Sequence, residues 1–192
     1  MQEDTIPDSG ESQPGLAQVS ESKTRWPWGL GIAGAVVGAV VIYNLTVWLP
    51  VTTRLGDDSR NKGLGIAAYR TGLLHPSNIT LDIRRADGVA PIDIFRALFQ
   101  SAEALKEREF GKVTLSRGGK AVFVLEGEYF QDMGHAYAAG ENPLYMMRTL
   151  PENLYEPDGS PAYGTWTGGW LGVFGRQMDD ANDFAGDWVA GR

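Results

Sequence analysis

Trp28–Leu49 reads WGLGIAGAVVGAVVIYNLTVWL, 22 residues without a charge. A hydrocarbon core about 30 Å thick is crossed by about 20 helical residues, so this stretch predicts a membrane-spanning helix. Trp26 and Trp28 stand at one end and Trp48 at the other, and indole rings favour the headgroup level. A buried core helix is the alternative, yet it would have to be apolar on every face. Pro50 is expected to close the helix. Asn44 and Thr46 are the strongly polar residues inside. Thr46 can bond back to its own helix, whereas Asn44 calls for a partner. The apolar run exceeds that of a cleaved signal peptide and continues into Val47, Trp48, Leu49 and Pro50 instead of a small-residue cleavage site. An uncleaved signal anchor over residues 26–50 is the expectation.

Small residues crowd this helix. Gly34 and Gly38 form a GxxxG pair, and Gly31 lies about one turn earlier. Such spacing lets a second helix approach closely, so Gly31, Gly34 and Gly38 are the candidate helix-association residues. The expected partner is the bilayer, together with another membrane protein or a second copy through this helix. Lys23 and Arg25 precede the helix, while Arg54, Arg60 and Lys62 follow it. The positive-inside count is nearly balanced, and the pair abutting the start favours an internal N-terminus. The expected location is then a bacterial inner membrane, single-pass, with the N-terminus cytoplasmic and the C-terminal domain periplasmic.

Ahead of the helix, residues 1–25 carry Gln, Ser, Pro and the acids Glu3, Asp4, Asp8, Glu11 and Glu21. That composition cannot bury enough surface to offset chain entropy, so it reads as a disordered acidic tail. Across the whole chain of 192 residues, 43% are hydrophobic and 21% charged, which is an ordinary globular balance. The net charge of −7 and pI near 4.8 argue against nucleic-acid binding. No cysteine is present, which excludes disulfides, thiolate metal sites and cysteine nucleophiles.

Residues 51–192 are expected to form one α+β domain, behind a short linker from Val51 to about Arg60. A first helix is expected over Asn61–Leu74, ended by Pro76. Asn78–Arg84 alternates, with Ile79, Leu81 and Ile83 on one face, which predicts a strand (about 79–84). Pro91 opens a helix to about Arg108, with Ile92, Phe95, Leu98, Phe99, Ala102 and Leu105 at helical spacing. KVTLSR-GG-KAVFVLE predicts a hairpin over 112–126 about Gly118-Gly119. A two-residue loop would pair Leu115 with Val122 and Val113 with Val124. Helices follow over Glu128–Ala138, Leu144–Thr149 and about Leu171–Val189. The sheet is expected to be small and mainly antiparallel, with 79–84 as a possible third strand and helices packed on it.

Catalytic signals are sparse. His75 and His135 are the two histidines, and no HExxH, GxSxG, SxxK or P-loop pattern occurs. Glu126 and Glu128 flank Gly127 where a strand becomes a helix, a placement that can serve acid–base chemistry but more often is solvated. No cofactor or metal is expected. Two other stretches suit contact. Ser160–Gly175, SPAYGTWTGGWLGVFG, holds no charge in 16 residues. Its Tyr163, Trp166, Trp170, Leu171 and Phe174 are candidates for partner or lipid contact, since aromatics with glycines form platforms or enter a membrane interface. The last helix carries Asp179, Asp183 and Asp187 at spacings of four, an acidic face whose self-repulsion a basic partner would relieve. The expectation is a membrane-anchored, non-catalytic subunit or scaffold of an envelope complex. A membrane-tethered hydrolase or small-ligand binding module is the alternative.

Overall fold

A computed structural model describes residues 28–72 and 77–192, excepting the side chains at 28–33, 170 and 171. The acidic tail, Trp26 and His75 lie outside the described residues. The fold is α+β, with a mixed five-stranded sheet in the order β1-β2-β3-β4-β5. Helix α1 spans Trp28–Gly56. A 3-10 turn over Ser59–Asn61 leads to β1, Leu64–Arg70, and then to β2, Ile79–Ala86. Helix α2, Pro91–Leu105, connects β2 to β3, Lys112–Arg117, and β4 follows over Lys120–Glu126. Helices α3, Gly127–Ala138, and α4, Pro143–Thr149, precede the two-residue β5, Leu154–Tyr155, and α5, Trp170–Ala190.

Three expectations are corrected. In place of the helix expected over Asn61–Leu74, the described part holds a strand, Leu64–Arg70: Leu64, Ile66 and Ala68 are buried while Gly65 and Ala67 are less so, and this period-two burial belongs to a strand pairing antiparallel with β2. The sheet is larger than a hairpin plus one strand and is mixed, because β2 and β3 run parallel. Parallel neighbours need a crossover, and α2 supplies it. The hairpin register is also one residue off. Leu115 pairs with Phe123 and Val113 with Leu125, while Val122 is the extra residue of a bulge. Without the bulge, Phe123 and Leu125 would face away from Val113 and Leu115. With it, all four are buried on one side. The turn itself is as expected, with positive φ of 59° and 87° at Gly118 and Gly119.

Ile79, Leu81 and Ile83 of β2 meet that same buried side. Phe184 of α5 ties the layers together, with ring centroids 5.3 Å from Phe95 of α2 and 5.4 Å from Phe123 of β4. Trp188 is fully buried and donates its indole N–H to the Ser116 carbonyl at 3.0 Å. Two glycines permit the helix approach. A Cβ at Gly134 would strike the Ala102 carbonyl of α2, and one at Gly127 the Phe110 carbonyl.

Helix α1 departs most from expectation. It continues through Pro50 to Gly56, with no linker after Leu49. Val47 and Val51 are fully buried, and this half of the helix packs on β1 and α2. Arg54 pairs with Glu103 of α2 at 2.8 Å. Asn44 finds the partner it calls for: its Oδ1 accepts from the Arg70 N–H at 2.9 Å, at the end of edge strand β1. Thr46 donates back to Tyr43. Within Gly34–Gly56 an 18-residue stretch has a mean hydropathy of 1.8, and by length and composition this is one helix able to cross a membrane.

Candidate functional site

The domain has two poles, set by strand register. Arg70 stands opposite Ile79, Ile79 beside Val113, Val113 opposite Leu125, and Leu125 opposite Leu154. This rung marks the exit pole, where α1 leaves the domain at Asn44. The hairpin tip at Gly118-Gly119 marks the opposite, far pole.

Helix α5 spans both. Near its C-terminal end, Lys120 donates to the Gly191 carbonyl beside the hairpin tip. Phe184 lies level with Phe123, and Gln177 donates to Glu152, two residues before β5, at 2.8 Å. The first turns, Trp170–Arg176, therefore extend past the exit-pole rung, by about 10 Å from Gln177 to Trp170 at 1.5 Å per residue.

The loop before α5 folds back along it, so the aromatic segment and the acidic helix form one surface. Tyr163 packs its ring 5.9 Å from Phe123. Burial pushes its hydroxyl pKa up, reinforced by the negative charges of Asp187, Asp183 and Asp180. Trp166 is held between two residues of α5: the Arg176 guanidinium lies 4.7 Å over its ring, and its indole N–H donates to Asp180. Phe174 is half-buried, and Trp170 and Leu171 fall on the first turn of α5. Asp179 and Asp183 are exposed, while Asp187 pairs with Arg192 at 3.3 Å. Between loop and helix lies a groove of about 490 Å³, lined by Thr165, Trp166, Thr167, Val173, Arg176 and glycine backbone.

The glycine face of α1 is open. A Cβ built on Gly34 or Gly38 meets nothing within 4 Å, and Gly31 lies on the same helix. At 3.6 residues per turn, Gly34 and Gly38 lie about 130° round the helix from the Asn44–Val47–Val51 face that packs on the domain. Exposed Leu45 and Leu49 continue the glycine side toward the domain.

The catalytic candidates do not converge. Glu126 lines a groove of about 350 Å³ on the outer sheet face with Lys112, Thr114, Tyr155 and Asp158, and neither Glu128 nor His135 lines it. Both of those residues are exposed on α3. Among the described residues, no group of three or more His, Asp or Glu is placed to hold a metal ion.

Two carboxylate nodes escape sequence reasoning. Asp82 sits on the outer face of β2, where alternation predicts solvent, yet its side chain is fully buried. It accepts from Arg84 at 2.7 Å, from the Tyr69 hydroxyl at 3.3 Å and from the Gly119 N–H at 3.1 Å. This node ties β1, β2 and the hairpin tip together. Burial, then the Asp82 charge, pushes the Tyr69 pKa up. The second node closes α1 onto α2. Asp58 accepts from Arg60 at 2.6 Å and from the Gln100 amide at 2.8 Å, and Asn61 donates to Gln100 at 2.7 Å. The Arg60 hydrogen bond, then that of Gln100, holds the Asp58 carboxyl well below the usual carboxylate range. The one available signal is local: an Asp two residues before an Arg after a helix end suits a capped turn.

Comparison of the chain with family models, with curated proteins and with solved structures gives no significant match.

Proposed function

We propose that this chain is a single-pass membrane-anchored, non-catalytic subunit or scaffold of an envelope membrane complex. One observation carries the reading: a single helix is bare over Gly34–Val41 and built into the domain core from Asn44 to Leu55. An anchor on a flexible leash leaves a domain free to turn. An anchor continuous with the core transmits the position and rotation of the helix to the whole domain. The open Gly34/Gly38 face points away from the domain, so a second helix can pack there without displacing it. In this reading the domain is held in a fixed orientation beside the bilayer, on the periplasmic side of a bacterial inner membrane. The acidic helix face with Asp179 and Asp183 is then presented laterally to a basic partner.

Purification of the full-length protein in mild detergent, with mass spectrometry of what co-elutes, tests this proposal. A stoichiometric membrane partner, or a self-associated form, that is lost when Gly34 and Gly38 become Leu is the expected result. A protein that elutes alone, monomeric and folded, contradicts it.

A further inference from the structure

The geometry points to a second membrane contact, made by the loop Gly164–Gly169 and the first turns of α5 on the same bilayer that α1 enters. This inference rests on the anchored reading above. Because α1 is continuous with the core, the exit pole is the pole that faces the membrane. Helix α5 runs from that pole toward the far one, and its first turns extend beyond the rung of Arg70, Ile79, Val113 and Leu125. The part that projects is the uncharged part: from Ser160 to Gly175 no charged residue occurs, and Arg176 is the first. The domain's charged loops elsewhere on this pole, such as Glu107–Glu109, make the uncharged tip distinctive.

The chemistry of the tip fits the interfacial layer. Val173 and Phe174 are half-buried, and Thr165, Thr167, Gly168 and Gly172 are exposed. Hydroxyls and glycine backbone offer donors and acceptors to headgroups while the apolar side chains meet the acyl boundary. Arg176 borders the groove beside Trp166, where a guanidinium suits a lipid phosphate. Trp166 is fixed by Arg176 and Asp180, so its role is to brace the loop against α5 and hold the tip rigid. Asp180 is engaged in that brace. The occupant is therefore the headgroup layer, with anionic phosphate at Arg176. Two attachments, the anchor and this tip, fix the tilt of the domain as well as its height.

The absence of cysteine allows a direct test in the full-length chain. Single cysteines replace Val37, Thr167 or Lys120, each labelled with an environment-sensitive fluorophore. The protein is reconstituted in phosphatidylcholine–phosphatidylglycerol vesicles containing lipids with a nitroxide quencher near the headgroup or in the acyl chain. Native near-ultraviolet circular dichroism confirms folding of each variant. The expected result is acyl-chain quenching at Val37 and headgroup quenching at Thr167 several-fold stronger than at Lys120. Quenching at Val37 with Thr167 no more quenched than Lys120 overturns the tip contact and leaves the anchor standing. No quenching at Val37 overturns both. Adding Arg176→Glu is expected to weaken Thr167 quenching in the phosphatidylglycerol-containing vesicles only; no loss in those vesicles, or an equal loss with pure phosphatidylcholine vesicles, contradicts the assignment of an anionic headgroup to Arg176.

Discussion

The two halves of α1 differ in composition and in fate. Gly34–Ile42 is wholly apolar and almost wholly exposed, whereas Tyr43–Gly56 mixes apolar residues with Asn44, Thr46, Thr52, Thr53 and Arg54 and turns one face into a close-packed core. The change falls at one polar side chain and the strand end it meets. Asn44 satisfies both halves of its amide, donating to Val40 within the helix and accepting from Arg70 of β1. Beside it the Arg70 guanidinium lies 4.1 Å over the Tyr43 ring. In this long helix, the Asn44 amide thus marks where the bare stretch ends and packing on the domain begins.

The comparison can be broken most severely from its buried half. Val51 is fully buried between α1, β1 and α2, so Val51→Asp places an unpaired charge in the core and is expected to cost more than about 3 kcal/mol. Loss of cooperative thermal unfolding in the full-length protein is the readout. A variant that melts like the parent would show that this half does not belong to the core. Asn44→Leu comes next. It makes the helix more apolar, yet it strands the Arg70 N–H and is expected to cost about 1–2 kcal/mol. Chemical denaturation, with faster amide exchange at Arg70, checks it.

Acidification sharpens the junction at the other end of the buried half. The Asp58 pKa is lowered from its ordinary 3.8 in the folded state. Its stabilising contribution is thus complete above that value and is lost as pH falls through the lower folded pKa. Below about pH 4, where the unfolded carboxylate takes its proton, the parent is expected to lose stability more steeply than Asp58→Asn. Parallel acid titrations of the two proteins would contradict the assignment. The smallest effect belongs to the bare half. Val37→Ala is expected to change domain stability by less than about 0.5 kcal/mol, since nothing in the domain packs on it. Thermal melts of the two proteins in the same detergent decide this.

Much of the architecture was legible in residue order. The alternation at Ile79, Leu81 and Ile83, the proline-opened α2 and the Gly118-Gly119 turn all act locally, within a few residues. The failures have non-local causes. Strand β1 carries glycine and alanines with weak preference, and pairing with β2 decides its state. Pro50 removes one helical N–H but does not stop a helix held by packing on two sides. The bulge at Val122 serves the core by bringing Phe123 and Leu125 to the side of Leu115, which no turn rule encodes. The same holds for the candidate surface. Tyr163, Trp166 and the aspartates of α5 were each visible only as separate candidates for contact, and only the folded loop joins them through Trp166 and Asp180. Asp82 looked solvent-facing because alternation counts faces and cannot see the Arg84, Tyr69 and Gly119 groups that cover it.

The continuity of α1 across Pro50 is the central claim, and amide hydrogen exchange of the full-length protein in lipid nanodiscs tests it most directly. Amides over Val51–Leu55 are expected to exchange as slowly as those of β2 at Ile79–Ile83, because both open only when the domain unfolds. Rapid exchange from Val51 onward, with β2 still protected, would reveal a flexible leash and contradict the account.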